Sequence, residues 1–243
     1  MNHDILLTII VPAYNEEKHI RTTLEEISGY LSKRGFPCEV IVVDDGSTDK
    51  TFENAENCSK LFACFRILKN DTNKGKGCSV KRGVLSAKGE YVLFMDADNS
   101  TSIYEFDKFL PYLKEGYDVV IASRRLKDSD VEEPQPFLRA TMGLFYIVLS
   151  KVILGLRISD FNCGFKAYLG KAAKFLCEKQ KMDDWSFDTE LLFIAKKRGF
   201  RIKEAPVRWV HKSGSKVKPF KDGVKSFLSL MKIKLNDIRR YYG

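Results

Sequence analysis

Histidine is scarce in this chain. Three residues in 243, at positions 3, 19 and 211, show no metal-ligand spacing, which argues against a histidine-based metal site. The six cysteines (38, 58, 64, 78, 163, 177) form no C-x-x-C pair, so structural zinc is disfavoured and a reducing compartment fits. No apolar stretch comfortably spans a membrane. Residues 137–156 come nearest, but Arg139 and Lys151 interrupt them, and an interfacial or core-packed helix is expected there. No basic-then-apolar leader precedes the core-like run that starts at Leu6, so the cytosol is the expected compartment. The sequons at Asn57, Asn70 and Asn99 are then expected to carry no glycan. A G-x-x-x-x-G-K-[ST] loop is missing, as is a G-x-G-x-x-G after the first apolar run, which disfavours nucleotide hydrolysis and dinucleotide binding. Acidic residues are outnumbered 32 to 41, and the net charge of +9 asks for an anionic partner: nucleic acid, phosphorylated substrate or membrane surface. No RNP-type, helix-turn-helix or zinc pattern supports the first of these.

What the chain has is alternation. Largely apolar runs at 6–11, 39–43, 65–68, 91–95 and 117–122 read as strands of a buried sheet, and a further strand is expected around 201–207. Amphipathic stretches between them, such as Ile20, Leu24, Ile27 and Leu31 before Gly35, read as helices, with Asn15 as a candidate cap for the first. The expectation is an α/β fold with a mostly parallel sheet covered on both faces. Residues 126–136 form a charged, proline-bearing loop or lid, and a basic amphipathic helix completes the chain.

Ligands of an open parallel sheet sit beyond the carboxyl ends of its strands. Three apolar runs end in polar clusters there: Pro12-Ala13-Tyr14-Asn15-Glu16, Asp44-Asp45-Gly46-Ser47-Thr48-Asp49 and Asp96-Ala97-Asp98-Asn99-Ser100. Taken singly, such residues cap helices and make turns. Together they make one site if the strands are neighbours. The last cluster is the most informative. Two carboxylates one residue apart at a buried strand end form a cup for a hard divalent cation shared with phosphate oxygens. Asp128 and Asp130 have the same spacing without a strand before them and read as solvated loop. Lys74-Gly75-Lys76-Gly77 offers backbone N–H groups and charge to a phosphate.

In order along the chain, V-P-A-Y-N-E at 11–16, V-V-D-D-G-S-T-D at 42–49, N-K-G-K-G at 73–77 and D-A-D at 96–98 resemble the family-2 inverting glycosyltransferases. Asp160 with Asn162-Cys163-Gly164-Phe165-Lys166, Trp185 to Glu190, and Gly214-Ser215-Lys216 are most similar to the dolichyl-phosphate glucosyltransferase branch, with the mannose synthases near it. The resemblance covers about residues 5–220 and implies a GT-A-type nucleotide-sugar fold using Mg²⁺ or Mn²⁺. It further implies a catalytic unit at 1–216, with a donor half (1–123) and an acceptor half (124–216), followed by the 217–243 helix. Pro12, Tyr14, Glu16, Asp44 and Asp45 would hold base and ribose; Asp96, with Ala97 beside it, ribose or sugar; Asp98 the metal, with Ser100 nearby. Lys76, Arg124, Arg139 and Lys216 are candidates for phosphate groups.

The expected reaction transfers a hexose from UDP-glucose, or alternatively GDP-mannose, to a polyprenyl phosphate. A phosphate acceptor is already anionic, so Asp188 is needed as a base only if the acceptor is a sugar or protein hydroxyl. Asp188 could equally cap the helix it opens. Two rival functions stand beside this one: sugar transfer to a saccharide or protein, and nucleotide-sugar binding without catalysis. Two departures stand out: the N-terminal anchor usual in the glucosyltransferase branch is not seen, and the Q-x-x-R-W motif of processive synthases is missing. Attachment is expected to be peripheral, on the cytoplasmic face of an anionic membrane. From Arg201 to Gly243 twelve Lys/Arg face three Asp/Glu, and Phe220, Val224, Phe227, Leu228, Met231, Leu235 and Ile238 share one helical face. That face could instead pack on the protein's own core or on a second copy of the chain.

Overall fold

A computed structural model of the chain describes residues 5–132, 137–212 and 219–243, those at 137–140 and 219–224 by their backbone alone. The first part of the chain alternates: β1 (Leu7–Ala13), α1 (Ile20–Arg34), β2 (Cys38–Asp44), α2 (Thr51–Asn57), β3 (Phe65–Lys69), α3 (Lys76–Ser86), β4 (Tyr91–Met95), α4 (Phe106–Lys114) and β5 (Val119–Ser123). Then follow β6 (Asp130–Val131), α5 (Phe137–Leu154), β7 (Phe165–Leu169), α6 (Gly170–Lys179), α7 (Phe187–Lys197), β8 (Ile202–Pro206), β9 (Arg208–Trp209) and α8 (Pro219–Ile238).

Seven strands form one sheet in the order β3-β2-β1-β4-β7-β5-β8, parallel except for β7. Every residue of β1, β4 and β5 is buried, as expected for strands covered on both faces. Side chains alternate between two cores. Ile9, Val40 and Leu93 meet Leu24, Ala55 and Phe109 of α1, α2 and α4. Ile10, Ile41 and Phe94 meet Val80, Leu176 and Leu191 of α3, α6 and α7, a core that also takes Leu154 of α5 and Leu230 and Ile233 of α8.

The lone reversed strand positions the site. The turn at 160–164 lies at the carboxyl end of the sheet, so the strand leaving it must run back between β4 and β5. Its first contact is a hydrogen bond from the Asp96 N–H to the Gly164 carbonyl (2.9 Å). The 160–164 turn is thereby fixed against the Asp96–Asp98 cluster.

Two local expectations are corrected. Asn15 does not cap α1, whose N-cap is His19 without a side-chain capping bond; Asn15 adopts a positive φ of 53° and its Oδ1 accepts the Thr48 N–H (2.9 Å). Asp188 does not cap α7 either, since the N-cap position belongs to Ser186. Gly35 closes α1 in the left-handed conformation, as its sequence position suggests. The Asp128–Asp130 copy is exposed at both carboxylates and ends in the short β6–β9 pair.

Candidate active site

The three polar clusters converge because β2, β1 and β4 are adjacent. Ala13 stands in register with Asp44, and the Asp45 N–H donates to the Ala13 carbonyl (2.8 Å). Pro12 lies within buried β1, while Tyr14, Glu16 and Ser100 line the turns beyond the strand ends. Glu16 Oε2 lies 2.9 Å from His19 Nδ1, and the Glu16 N–H bonds the Thr51 hydroxyl (2.7 Å).

Asp44 and Asp45 differ in what they have left to offer. Asp45 spends its carboxylate inside the protein, accepting from Asn70 Nδ2 (2.7 Å), the Lys74 N–H (3.0 Å) and the Gly75 N–H (2.8 Å). Two of the loop amides expected to face a phosphate therefore face Asp45, and what the loop presents is the Lys76 ammonium. Asp44 accepts the Ser47 N–H through Oδ1 (3.1 Å), but its buried Oδ2 has no partner among the described residues. A buried acceptor left open is costly, about 1–3 kcal/mol, unless a ligand donor meets it. An N–H on a nucleobase edge is such a donor.

Asp96 and Asp98 flank buried Ala97 beyond β4. Asp96 is ion-paired with Lys76, whose ammonium also lies 5.0 Å from the Trp185 ring. Burial alone would favour the neutral amine. The carboxylates of Asp96, Asp188 and Asp98 outweigh it, raise the Lys76 pKa and keep the group charged. Burial, reinforced by the charge of Asp96, raises the Asp98 carboxyl above its ordinary value, while the Ser100 N–H (2.9 Å) steadies one oxygen. Among the described residues no group of three or more His, Cys, Asp or Glu is ready to hold a metal ion. Two carboxylates held apart from full solvation nonetheless fit Mg²⁺ or Mn²⁺, which completes its sphere with water and substrate phosphates.

Arg124 follows β5 and is gripped by Asp160 through Nε–Oδ2 (2.7 Å) and Nη2–Oδ1 (2.9 Å), with its ring partner Trp209 at 5.2 Å. Burial would raise the Asp160 carboxyl, but the Arg124 guanidinium outweighs it and holds it below the usual range. Arg124 is thus a fixed cation whose remaining N–H groups alone can meet a phosphate. The side chain of Arg139 and all of Lys216 lie outside the described residues.

Asp188 is buried beside a lysine. It is 3% exposed, and its Oδ1 lies 2.8 Å from Lys166 Nζ, which also donates to the carbonyls of Phe161 (2.9 Å) and Cys163 (2.7 Å). Burial raises its carboxyl despite the opposing charges of Lys166 and Lys76. Removing one partner of such a pair strands the other charge, at about 3–5 kcal/mol. Sequence pattern assigns no site role of their own to Lys166 and Gly164. The available signal is a lysine inside an otherwise apolar stretch, Phe165 to Leu169, which only a buried carboxylate explains. At Gly164 a Cβ would stand 1.9 Å from Asp96 Oδ2.

The cluster order, the placing of Lys76, Arg124 and the Asp96–Asp98 pair beyond the strand ends, and the α/β frame agree with one comparison in particular: the model of glycosyl transferase family 2 matches residues 8–176. The chain belongs to that family. A dolichyl-phosphate beta-glucosyltransferase of Trichomonas vaginalis is 38% identical over 231 residues, 88% of this chain and 68% of the relative. The Homo sapiens protein of that name is 33% identical over 229 residues, 88% of this chain and 70% of its own. In fold, this family-2 glycosyltransferase superposes at a TM-score of 0.69 on glucosyl-3-phosphoglycerate synthase from Mycobacterium tuberculosis, solved with Mn²⁺, uridine diphosphate and phosphoglyceric acid. That pair is 19% identical and aligned over 95% of this chain and 78% of the other, a likeness of GT-A fold.

Proposed function

We propose that this glycosyltransferase moves glucose from UDP-glucose, with inversion, onto a dolichyl or other polyprenyl phosphate at a membrane surface. The observation that carries the choice of acceptor is the burial of Asp188 against Lys166. In this reading the carboxylate serves the Lys166 pair, and a hydroxyl acceptor would lack the base expected of it. A phosphate monoester arrives largely ionised, its second pKa being about 6, and attacks without one. The names of the relatives support the same acceptor, and the neighbour that holds uridine diphosphate supports the donor.

In this reading the site residues divide the labour. Asp44 Oδ2 takes a base N–H, and Asp45 holds the loop that carries Lys76. Asp96 fixes the ribose or sugar, and Lys76 turns from Asp96 toward the donor phosphates as they enter. Asp98, beside Asp96, would hold the divalent cation, which neutralises charge on the departing nucleoside diphosphate. Arg124, immobilised by Asp160, offers its free N–H groups to the acceptor phosphate from the β5 side. Uracil and guanine both present a ring N–H, so the donor base is a matter for assay.

Attachment is assigned to two helices. Among the described residues no helix is long and apolar enough to cross a membrane. α5 and α8 pack on each other, yet α5 leaves Leu144, Phe145, Val148 and Val152 exposed, and α8 leaves Phe227, Leu228, Met231, Leu235 and Ile238 exposed. Basic residues of α8 would add about 1 kcal/mol each against anionic head groups.

The test presents radiolabelled UDP-glucose and GDP-mannose to the protein with polyprenyl phosphate in anionic vesicles. Labelled lipid from UDP-glucose, competed by UDP and not GDP, is the expected result. Labelled lipid from GDP-mannose alone overturns the donor, and transfer only to a sugar hydroxyl overturns the acceptor.

A further inference from the structure

We infer that Glu190 and Tyr242 are positioning residues that link the seat of α8 to the place of Lys76 in the donor site. Glu190, fully buried in the first turn of α7, accepts three hydrogen bonds: from the N–H groups of Lys181 (2.9 Å) and Met182 (2.8 Å), and from the Tyr242 hydroxyl (2.6 Å). No substrate role is open to a carboxylate so occupied. Its partners point in two directions.

Toward the donor site, residues 180–184 press directly on the start of α3. Gln180 Nε2 donates to the Gly77 carbonyl (2.9 Å), and the Cys78 N–H to the Asp183 carbonyl (3.2 Å). A Cβ on Gly75 would stand 2.4 Å from Asp183 O, and one on Gly77 2.8 Å from Met182 O, so backbone touches backbone on either side of Lys76. With no slack there, a shift of Met182 or Asp183 displaces Lys76. Trp185, at the end of the same segment, covers its ammonium.

Toward α8, the chain reverses at Arg240, a non-glycine residue at φ 60°, and brings Tyr242 back into the core. There Asn236 Nδ2 donates to its hydroxyl (3.2 Å), Arg198 holds its carbonyl (2.8 Å) and Phe193 meets its ring edge-on. Lys225 of α8 lies 3.4 Å from Asp184, a second tie between the helix and the same segment. A helix with an exposed apolar stripe is thus connected, through Tyr242 and Glu190, to the lysine facing the donor phosphates.

The inference rests on Lys76 serving the donor, so its test includes one arm independent of that reading. Tyr242→Phe keeps the ring and removes only the hydroxyl; Glu190→Gln removes the charge at constant shape. Hydrogen exchange should rise at the amides of Lys181, Met182 and Cys78 in Tyr242→Phe, with β1 unchanged. UDP affinity, read from calorimetry and Trp185 fluorescence with Mn²⁺ present, should weaken about five- to tenfold, and Glu190→Gln should go further in the same direction. The KM for polyprenyl phosphate should stay put. Exchange that rises only at 236–243, or losses shared equally by both substrates in step with lower thermal stability, would reduce the pair to a structural role and overturn the inference. If wild-type protein fails to take UDP, the functional reading falls, and the exchange pattern alone decides the relay.

Discussion

Gly164→Ala is the substitution that most directly tests whether Asp96 belongs to the donor site. An alanine Cβ at 164 would stand 1.9 Å from Asp96 Oδ2, 2.1 Å from Cγ and 2.4 Å from Oδ1, where ordinary contact begins near 3.4 Å. The carboxylate must retreat by about 1.5 Å, because an alkyl carbon cannot share its space. Sliding the strand is not open to it, since the Asp96 N–H is bonded to Gly164 O (2.9 Å); the side chain has to rotate, leaving Lys76 and the cup it shares with Asp98. A misplacement near 1 Å in a positioning group costs about 10²-fold, so kcat/KM for the sugar nucleotide should fall by about two orders of magnitude. The accompanying overpacking penalty is about 1–3 kcal/mol, a loss of a few degrees in Tm, and the variant should still fold. Gly29→Ala in α1, where a Cβ would meet nothing within 4 Å, is the control for replacing a glycine as such. The assay is initial-rate transfer at varied sugar nucleotide, with circular dichroism melting on the same samples. A Gly164→Ala protein that melts cooperatively and retains kcat/KM within about threefold of wild type would refute the placement of Asp96.

Three further outcomes are expected. Asp98→Asn should preserve the melting transition, because the residue lies beyond a strand end, and abolish transfer at every Mg²⁺ or Mn²⁺ concentration; full activity of the variant in chelator would sink the metal role. Asp160→Asn should cost about 3–5 kcal/mol by leaving the Arg124 guanidinium without its partner. The Asp160 carboxyl is held below the usual range, so its contribution is fully present above the ordinary value of about 3.9 and is lost as pH falls through the depressed one. Melting curves between neutral and acid pH should therefore fall less steeply in Asp160→Asn than in wild type, and parallel slopes would contradict the assignment. Phe145→Glu and Leu228→Glu, each on an exposed stripe, should reduce sedimentation with anionic liposomes while leaving UDP binding intact; unchanged sedimentation of both would move the attachment elsewhere.

The parts of this protein that its sequence declares are those set by local pattern. Buried parallel strands must be apolar along their whole length, so β1, β2 and β4 announce themselves, and the residue after each such run is where a ligand can be met. Partners decided by register are another matter. Asp44 and Asp45 are indistinguishable as letters; only the paths of Asn70 and the Lys74–Gly75 loop turn Asp45 inward and leave Asp44 with an open oxygen. β7 is hidden for the same reason. A buried strand that carries Lys166 is unfavourable until Asp188, from a helix 22 positions on, supplies the opposite charge.

Helix α8 shows where pattern misleads in an informative way. Its most apolar stripe, Phe227, Leu228, Met231, Leu235 and Ile238, would by periodicity be the face that meets the core, and that stripe is exposed. The face that packs is narrower and more polar: Leu230 and Ile233 with Ser229 and Asn236. A helix whose outward face is more apolar than its inward one carries a cost in water that no described residue of the chain relieves. α5 exposes a second apolar stripe at Leu144, Phe145, Val148 and Val152, with α8 packed against it, although its inward side (Tyr146, Ile147, Leu149, Ile153 and Leu154) is apolar too. The two stripes lie on adjacent helices, and one apolar surface outside the molecule would cover both. A bilayer, the surface proposed above, would do so and would also carry the long-chain acceptor.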